Sequence, residues 1–85
     1  MTDSVTPLGL DAWLERLSTL LPADVFEGAG PAERAVLLDL ARIAAHRGER
    51  IAAPITTYLA GVAFAGLAPA ERLARLRALL AALEA

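Results

Sequence analysis

Along this chain, stretches in which apolar residues recur every three or four positions are separated by short breaks of proline and glycine. Leu10, Trp13, Leu14, Leu17, Leu20 and Leu21 fall at i, i+3, i+4, i+7, i+10 and i+11, which predicts an amphipathic helix. Asp11 and Glu15 lie in its first turns, where the helix dipole favours acids, and Pro22 stops it. Pro31 suits the first position of a second helix, with Glu33 as its acidic start. Val36, Leu37, Leu40, Ile43 and Ala44 form that helix's apolar face, and Gly48 is the expected C-terminal cap. A third helix is expected to begin at Pro54 or Ile55 and to run to Gly66. Being apolar nearly all round, it is expected at the centre, with the others packed close against it. Pro69 and Glu71 open a fourth helix, where Leu73, Leu76, Leu80 and Leu83 make a stripe that Leu79 widens.

The breaks complete the outline. Residues 1–9 read as a flexible N-terminal tail ending in Pro7-Leu8-Gly9, and residues 10–85 as a single helical domain. Residues 22–30 form a connection whose flexible end is Gly28-Ala29-Gly30, with Val25 or Phe26 tucked against the core. Trp13 is expected to anchor the core. No internal repeat stands out. The fold class that follows is all-α, a small antiparallel bundle of three to four helices joined by short connections.

Composition narrows the function classes. Of 85 residues, 56% are hydrophobic, chiefly Ala and Leu, while aromatics make up 5%, so strands have little support. A chain this short buries only roughly 60–65% of its unfolded surface, which makes an oligomer, a homodimer first, plausible. The formal charge is −2 and every cation is an arginine, with no extended basic surface to meet a nucleic acid. Without cysteine there is no disulfide and no thiolate metal site. Met1-Thr2-Asp3-Ser4 shows neither a positive n-region nor an apolar h-region, so no signal peptide is expected. The longest apolar stretch, Ile51–Ala70, is interrupted by Pro54, Thr56, Thr57 and Pro69, so no membrane span is expected and the cytoplasm is the default compartment.

One run carries chemistry beyond packing. From Leu38 to Gly61 the chain places Asp39, Arg42, His46 and Arg50 at helical spacing, breaks at Ala52-Ala53-Pro54, and opens the next helix with Thr56 and Thr57. At 100° per residue Asp39, His46 and Arg50 fall within about 40° of one another, with Arg42 one ridge away. The stripe borders the apolar face, so partial burial is expected. Two arginines, the single histidine, two hydroxyls and backbone N–H groups near Ile55, Thr56 and Thr57 suit a phosphate or carboxylate. The same residues also suit an internal polar network, with Asp39 on Arg42 and His46 donating to a turn carbonyl. Both readings stand on the spacing.

Catalysis lacks support: His46 has no serine or cysteine nucleophile beside it, and no second histidine or carboxylate cluster offers metal-ligand spacing. No cofactor is expected. Arg72, Arg75 and Arg77 read as a solvated face, and Thr56-Thr57-Tyr58 as a helix cap plus a ring packed on the bundle.

Leu10-Asp11-Ala12-Trp13-Leu14 and the run Leu37-Leu38-Asp39-Leu40-Ala41-Arg42, Ala45-His46, Glu49-Arg50, Ala52-Ala53-Pro54, Thr56-Thr57, Leu59 and Gly61 resemble a small uncharacterised domain of high-GC bacteria. That family occurs alone and fused behind a guanylyltransferase-like domain of molybdenum cofactor biosynthesis. The resemblance covers roughly residues 10–66; Ile51, Ile55 and Tyr58 depart from its pattern, and the fourth helix is unlike it. It implies a role accessory to molybdenum cofactor synthesis or molybdoenzyme maturation, with a nucleotidyltransferase-type or molybdoenzyme partner. Together these readings give a non-catalytic helical binding or adaptor domain. The competing expectation is a structural helix-pairing module that dimerises through the fourth helix or the small-residue surface of the third.

Overall fold

The computed structural model describes residues 8–26 and 30–85. The expected tail at 1–7 and Gly28-Ala29 of the expected flexible link lie outside the described residues. Among the described residues every regular element is a helix: α1 (Leu10–Ser18), a short 3-10 turn (Ala23–Phe26), α2 (Pro31–Arg47), α3 (Ala52–Ala63) and α4 (Pro69–Glu84). The protein is all-α.

The second and fourth helices follow the sequence closely. Each takes its proline in the first turn, where the missing N–H costs nothing, and each places a glutamate in that turn. The four residues Pro31-Ala32-Glu33-Arg34 recur as Pro69-Ala70-Glu71-Arg72, so both helices start with the same short motif. Gly48 ends α2 as expected, its N–H donating to the Ala44 carbonyl at 2.8 Å. A Cβ on Gly48 would stand 3.0 Å from that same carbonyl oxygen, which is why the closing residue has no side chain.

α3 begins at Ala52, ahead of the expected start at Pro54 or Ile55, and ends at Ala63, short of Gly66. The chain winds up before the proline: the Ala52 and Ala53 N–H groups donate to the carbonyls of Glu49 and Arg50 at 2.8 and 3.3 Å. Pro54 then falls third in the helix, among the N–H positions that lack an intrahelical acceptor in any case.

The core is small. Val36, Leu40, Ala60 and Leu76 are its buried apolar residues, with Leu37, Phe64, Leu73, Leu79 and Leu80 packed partly against them. The central helix is α2, which packs against both α3 and α4; these are the two substantial helix–helix interfaces. α3 is therefore peripheral, contrary to the expectation from its composition. Only Ala60 of α3 is buried, and Ile55, Tyr58, Leu59 and Val62 are exposed. Its small residues let it lie close to α2, but that contact uses one side, and the remaining apolar side faces outward.

α2 and α4 run parallel. At their N-terminal ends the Arg72 Nε–H meets both Glu33 carboxylate oxygens at 3.0 Å. At their C-terminal ends the Arg47 guanidinium donates to the Glu84 and Ala85 carbonyls at 3.1 and 3.2 Å, covering the closing carbonyls of α4. Arg72 thus leaves the solvated face expected for it, its side chain being only 16% exposed. Arg75 stays on that face, 3.6 Å from Glu71.

α1 corrects a further expectation. None of its residues is buried, and Trp13 is 51% exposed, so it anchors no core. The helix also ends earlier than its pattern suggests, and Leu20 and Leu21 lie in an exposed turn beyond it. Val25 is exposed and Phe26 half-buried. The apolar stripe that drew α1 from the sequence is real but only partly covered: Leu14 and Leu17 are half-buried, while Leu10 and Trp13 stand exposed.

Candidate functional site

The polar run from Asp39 to Thr57 is divided by the end of α2 at Arg47. Asp39 and Arg42 pair one turn apart on the outer surface of α2, with Oδ1 2.7 Å from the guanidinium. Asp39 is half-buried as a residue, its side chain 47% exposed, while Arg42, at 63%, is not buried as expected of this stripe. The reason is rotational: Val36 and Leu40 point α2's inner side at α3 and α4, Asp39 borders that side, and Arg42 lies well around the helix from it. His46 is exposed on the last turn, and among the described residues it makes no hydrogen bond. Arg50 is not on the helix at all, because α2 ends at Arg47 and Arg50 sits in the exposed turn before α3. The continuous face that 100° spacing assigns to Arg50 stops at Gly48.

The two threonines act within α3. The Thr57 hydroxyl donates back to the carbonyls of Ala53 and Pro54 at 3.2 and 3.1 Å, the usual way a threonine satisfies itself inside a helix. Thr56 is half-buried and faces the gap between α3 and α4. Neither caps the helix, whose N-cap is Ile51 without a side-chain bond, and Tyr58 projects outward at 69% exposure. The N–H groups of Ile55, Thr56 and Thr57 belong to the body of α3, and the turn ahead of it spends those of Ala52 and Ala53 on carbonyls. Among the described residues no cluster of three histidine, cysteine or acidic side chains is placed to hold a metal.

What the helices build instead is an apolar groove. α3 and α4 both pack on α2 without closing on each other, and the gap between them opens into a cavity of about 550 Å³. Ile43 and Ala44 of α2, Leu59 and Ala63 of α3, and Leu79 and Leu83 of α4 line it, with Arg47 at its edge. Small residues form much of the floor, so an incoming helix can approach the backbone closely. The apolar surface does not stop at the rim. From Thr56 and Leu59 it passes around α3 over Ile55, Val62 and Ile51 to Tyr58, an arc of roughly 160° at 3.6 residues per turn. No single signal in the sequence located this groove, since each of its walls reads as ordinary core; only the number of helices available to cover them decides which wall stays bare.

The sequence matches a family of domains of unknown function, DUF6457, over residues 6–85. The chain belongs to that family. The match spans all four helices, α1 and α4 included. Comparison with curated proteins and with solved structures found no match. Among the described residues no helix is long and apolar enough to cross a membrane.

Proposed function

We propose that this domain is a non-catalytic helical binding module, and that the groove between α3 and α4 is its receiving surface. The observation that carries the reading is the open side of the bundle: an apolar groove continuous with the bare face of α3, where four apolar residues are buried among the described residues. An exposed apolar patch of that extent marks an interaction site in a soluble domain. A groove floored by small residues between two helices suits the apolar face of a third, the helix-in-groove mode of recognition.

The biological setting we assign is an accessory role in molybdenum cofactor biosynthesis, in the cytoplasm, with a nucleotidyltransferase-type or molybdoenzyme partner. Its support is the resemblance of residues 10–66 to a domain fused behind guanylyltransferase-like domains; the lack of cysteine suits the compartment. Homotypic helix pairing is the second reading, and the exposed Leu10 and Trp13 of α1 favour it.

Calorimetric titration of the purified domain with a molybdenum cofactor guanylyltransferase tests both halves. The expected result is micromolar binding that Leu59→Glu abolishes and Arg42→Ala leaves unchanged. Binding that survives Leu59→Glu would remove the groove from the reading. No binding to the transferase or to a molybdoenzyme would remove the cofactor setting.

A further inference from the structure

α2 and α4 lie parallel, so their C-terminal ends stand side by side, and each is the negative pole of a helix dipole. Glu84 adds a formal negative charge at the same place. One cation spans the two ends. Arg47, in the last turn of α2, sends its guanidinium across to the Glu84 and Ala85 carbonyls at 3.1 and 3.2 Å. No later N–H of α4 reaches those carbonyls, because the helix closes at Glu84. A planar fork with several donors suits two acceptors at once.

Little else holds that end. Among the described residues the two Arg47 bonds are the side-chain hydrogen bonds that tie the last turn of α4 to another helix. The substantial packing partner of α4 is α2, and α4 does not close on α3. Its buried residue, Leu76, lies about two turns back from Glu84. Leu79 and Leu80 are half-buried, and Ala81 to Glu84 are exposed.

This end of α4 is a wall of the groove. Leu79 and Leu83 line it from α4, and Arg47 stands at the same edge. Resting on the reading of the groove as a helix-receiving surface, we propose that Arg47 is its positioning residue. The bridge to the last carbonyls of α4 fixes how far the wall of Leu79 and Leu83 stands from α3. Arg42 and Arg75 offer the contrast, since they pair with acids on their own helices and hold no second element. Glu33 with Arg72 ties the opposite ends of the same two helices, and neither residue lines the groove.

Arg47 is exposed, so its loss takes little from the stability of the whole domain: Arg47→Ala should lower the melting temperature by less than about 8 °C. The freedom of the end of α4 is what changes. The chain has no cysteine, so an introduced pair carries spin labels at two chosen points. Tyr58→Cys on α3 and Ala82→Cys on α4 are both at exposed positions outside the lining of the groove. Pulsed double electron–electron resonance on that labelled protein, alone in solution, reads the distribution of distances between α3 and the end of α4. The expected result is one narrow distribution, which Arg47→Ala broadens and moves to longer distance. Arg47→Lys, which keeps a cationic donor without the fork, should fall between the two. Arg75→Ala, on α4 itself, should leave the distribution as it was.

An unchanged distribution in Arg47→Ala would overturn the proposal, since packing alone would then hold the wall. A broad distribution with Arg47 intact would overturn it as well, and so would equal broadening in Arg75→Ala. Loss of helix content beyond the last turn in Arg47→Ala, read by circular dichroism, would overturn it by making Arg47 a support of the whole fold. No partner is present in this measurement, so the reading of the groove stands or falls separately, on the Leu59→Glu titration.

Discussion

Removing Glu33 tests how the N-terminal ends of α2 and α4 are held together. The residue is 8% exposed and its carboxylate takes the Arg72 Nε–H on both oxygens at 3.0 Å. Glu33→Ala leaves the Arg72 guanidinium, 16% exposed, in a nearly closed site without its counter-charge. Stranding one member of a buried pair costs about 3–5 kcal/mol, and the residual exposure here brings the expectation to about 2–4 kcal/mol. The acid in the first turn of α2, where the helix dipole favours it, is lost as well. At about 4–8 °C per kcal/mol for a domain of this size, the melting temperature should fall by about 10–25 °C. Urea denaturation followed by circular dichroism gives the free energy. The repeated motif supplies the control, since Glu71 holds the same place in α4 but pairs with Arg75 at 3.6 Å in the open. Glu71→Ala should therefore cost under about 0.5 kcal/mol. Glu33→Ala with Arg72→Ala should be no worse than Glu33→Ala alone, because the stranded charge is gone. Equal losses from Glu33→Ala and Glu71→Ala, or additive losses in the double variant, would refute the account.

Other positions give sharper local contrasts. Leu40 is fully buried and Leu38, on the same helix, is exposed, so Leu40→Ala should cost about 2–5 kcal/mol in urea denaturation and Leu38→Ala less than about 0.5. Gly48→Ala places a methyl 3.0 Å from the Ala44 carbonyl oxygen, a backbone atom of α2's last turn, and should lose about 1 kcal/mol by the same assay. Millimolar phosphate should leave the melting temperature of the wild type and of Arg50→Ala alike, because Arg42 is paired with Asp39 and Arg50 lies off the helix in the turn after α2; a phosphate-dependent rise lost in Arg50→Ala would restore the anion site.

The sequence and the structure agree where local chemistry decides. Proline in the first turn, glutamate beside it and a glycine at the far end place α2 and α4 without reference to anything distant. They part where tertiary placement decides. Arg72 sits one turn from Arg75 and looks like it, yet one is nearly enclosed and the other in water; the difference is the nearness of α2's start, which no local pattern carries. A helical wheel puts Arg50 on the stripe of Asp39, Arg42 and His46 only if the helix continues, and α2 stops at Arg47. Gly48 ended it two residues too soon for Arg50. The threonines were legible as polar groups at a helix start, but the start moved ahead of them once Glu49 and Arg50 supplied acceptors for the turn.

Hydrophobic composition identifies surface that wants covering, and it is silent about whether the covering comes from the same chain. α3 is apolar nearly all round, which fits a centre, yet α2 occupies the centre because it is the helix that both α3 and α4 can reach through short connections. The mismatch leaves α3 with the strongest demand for neighbours and α2 as its one substantial packing partner. α1 has a single well-defined stripe, of which Leu14 and Leu17 are half-buried and Leu10 and Trp13 remain exposed. Four buried apolar residues among the described ones make a thin core, and the remaining apolar groups of a marginal domain contribute more if something is brought to them. Any partner of the groove therefore acts on the fold as well as on its own binding: occupancy should raise the melting temperature in proportion to the logarithm of partner concentration. A groove-binding partner that left the melting temperature unchanged at saturating concentration would contradict the link between the open side of the bundle and its stability.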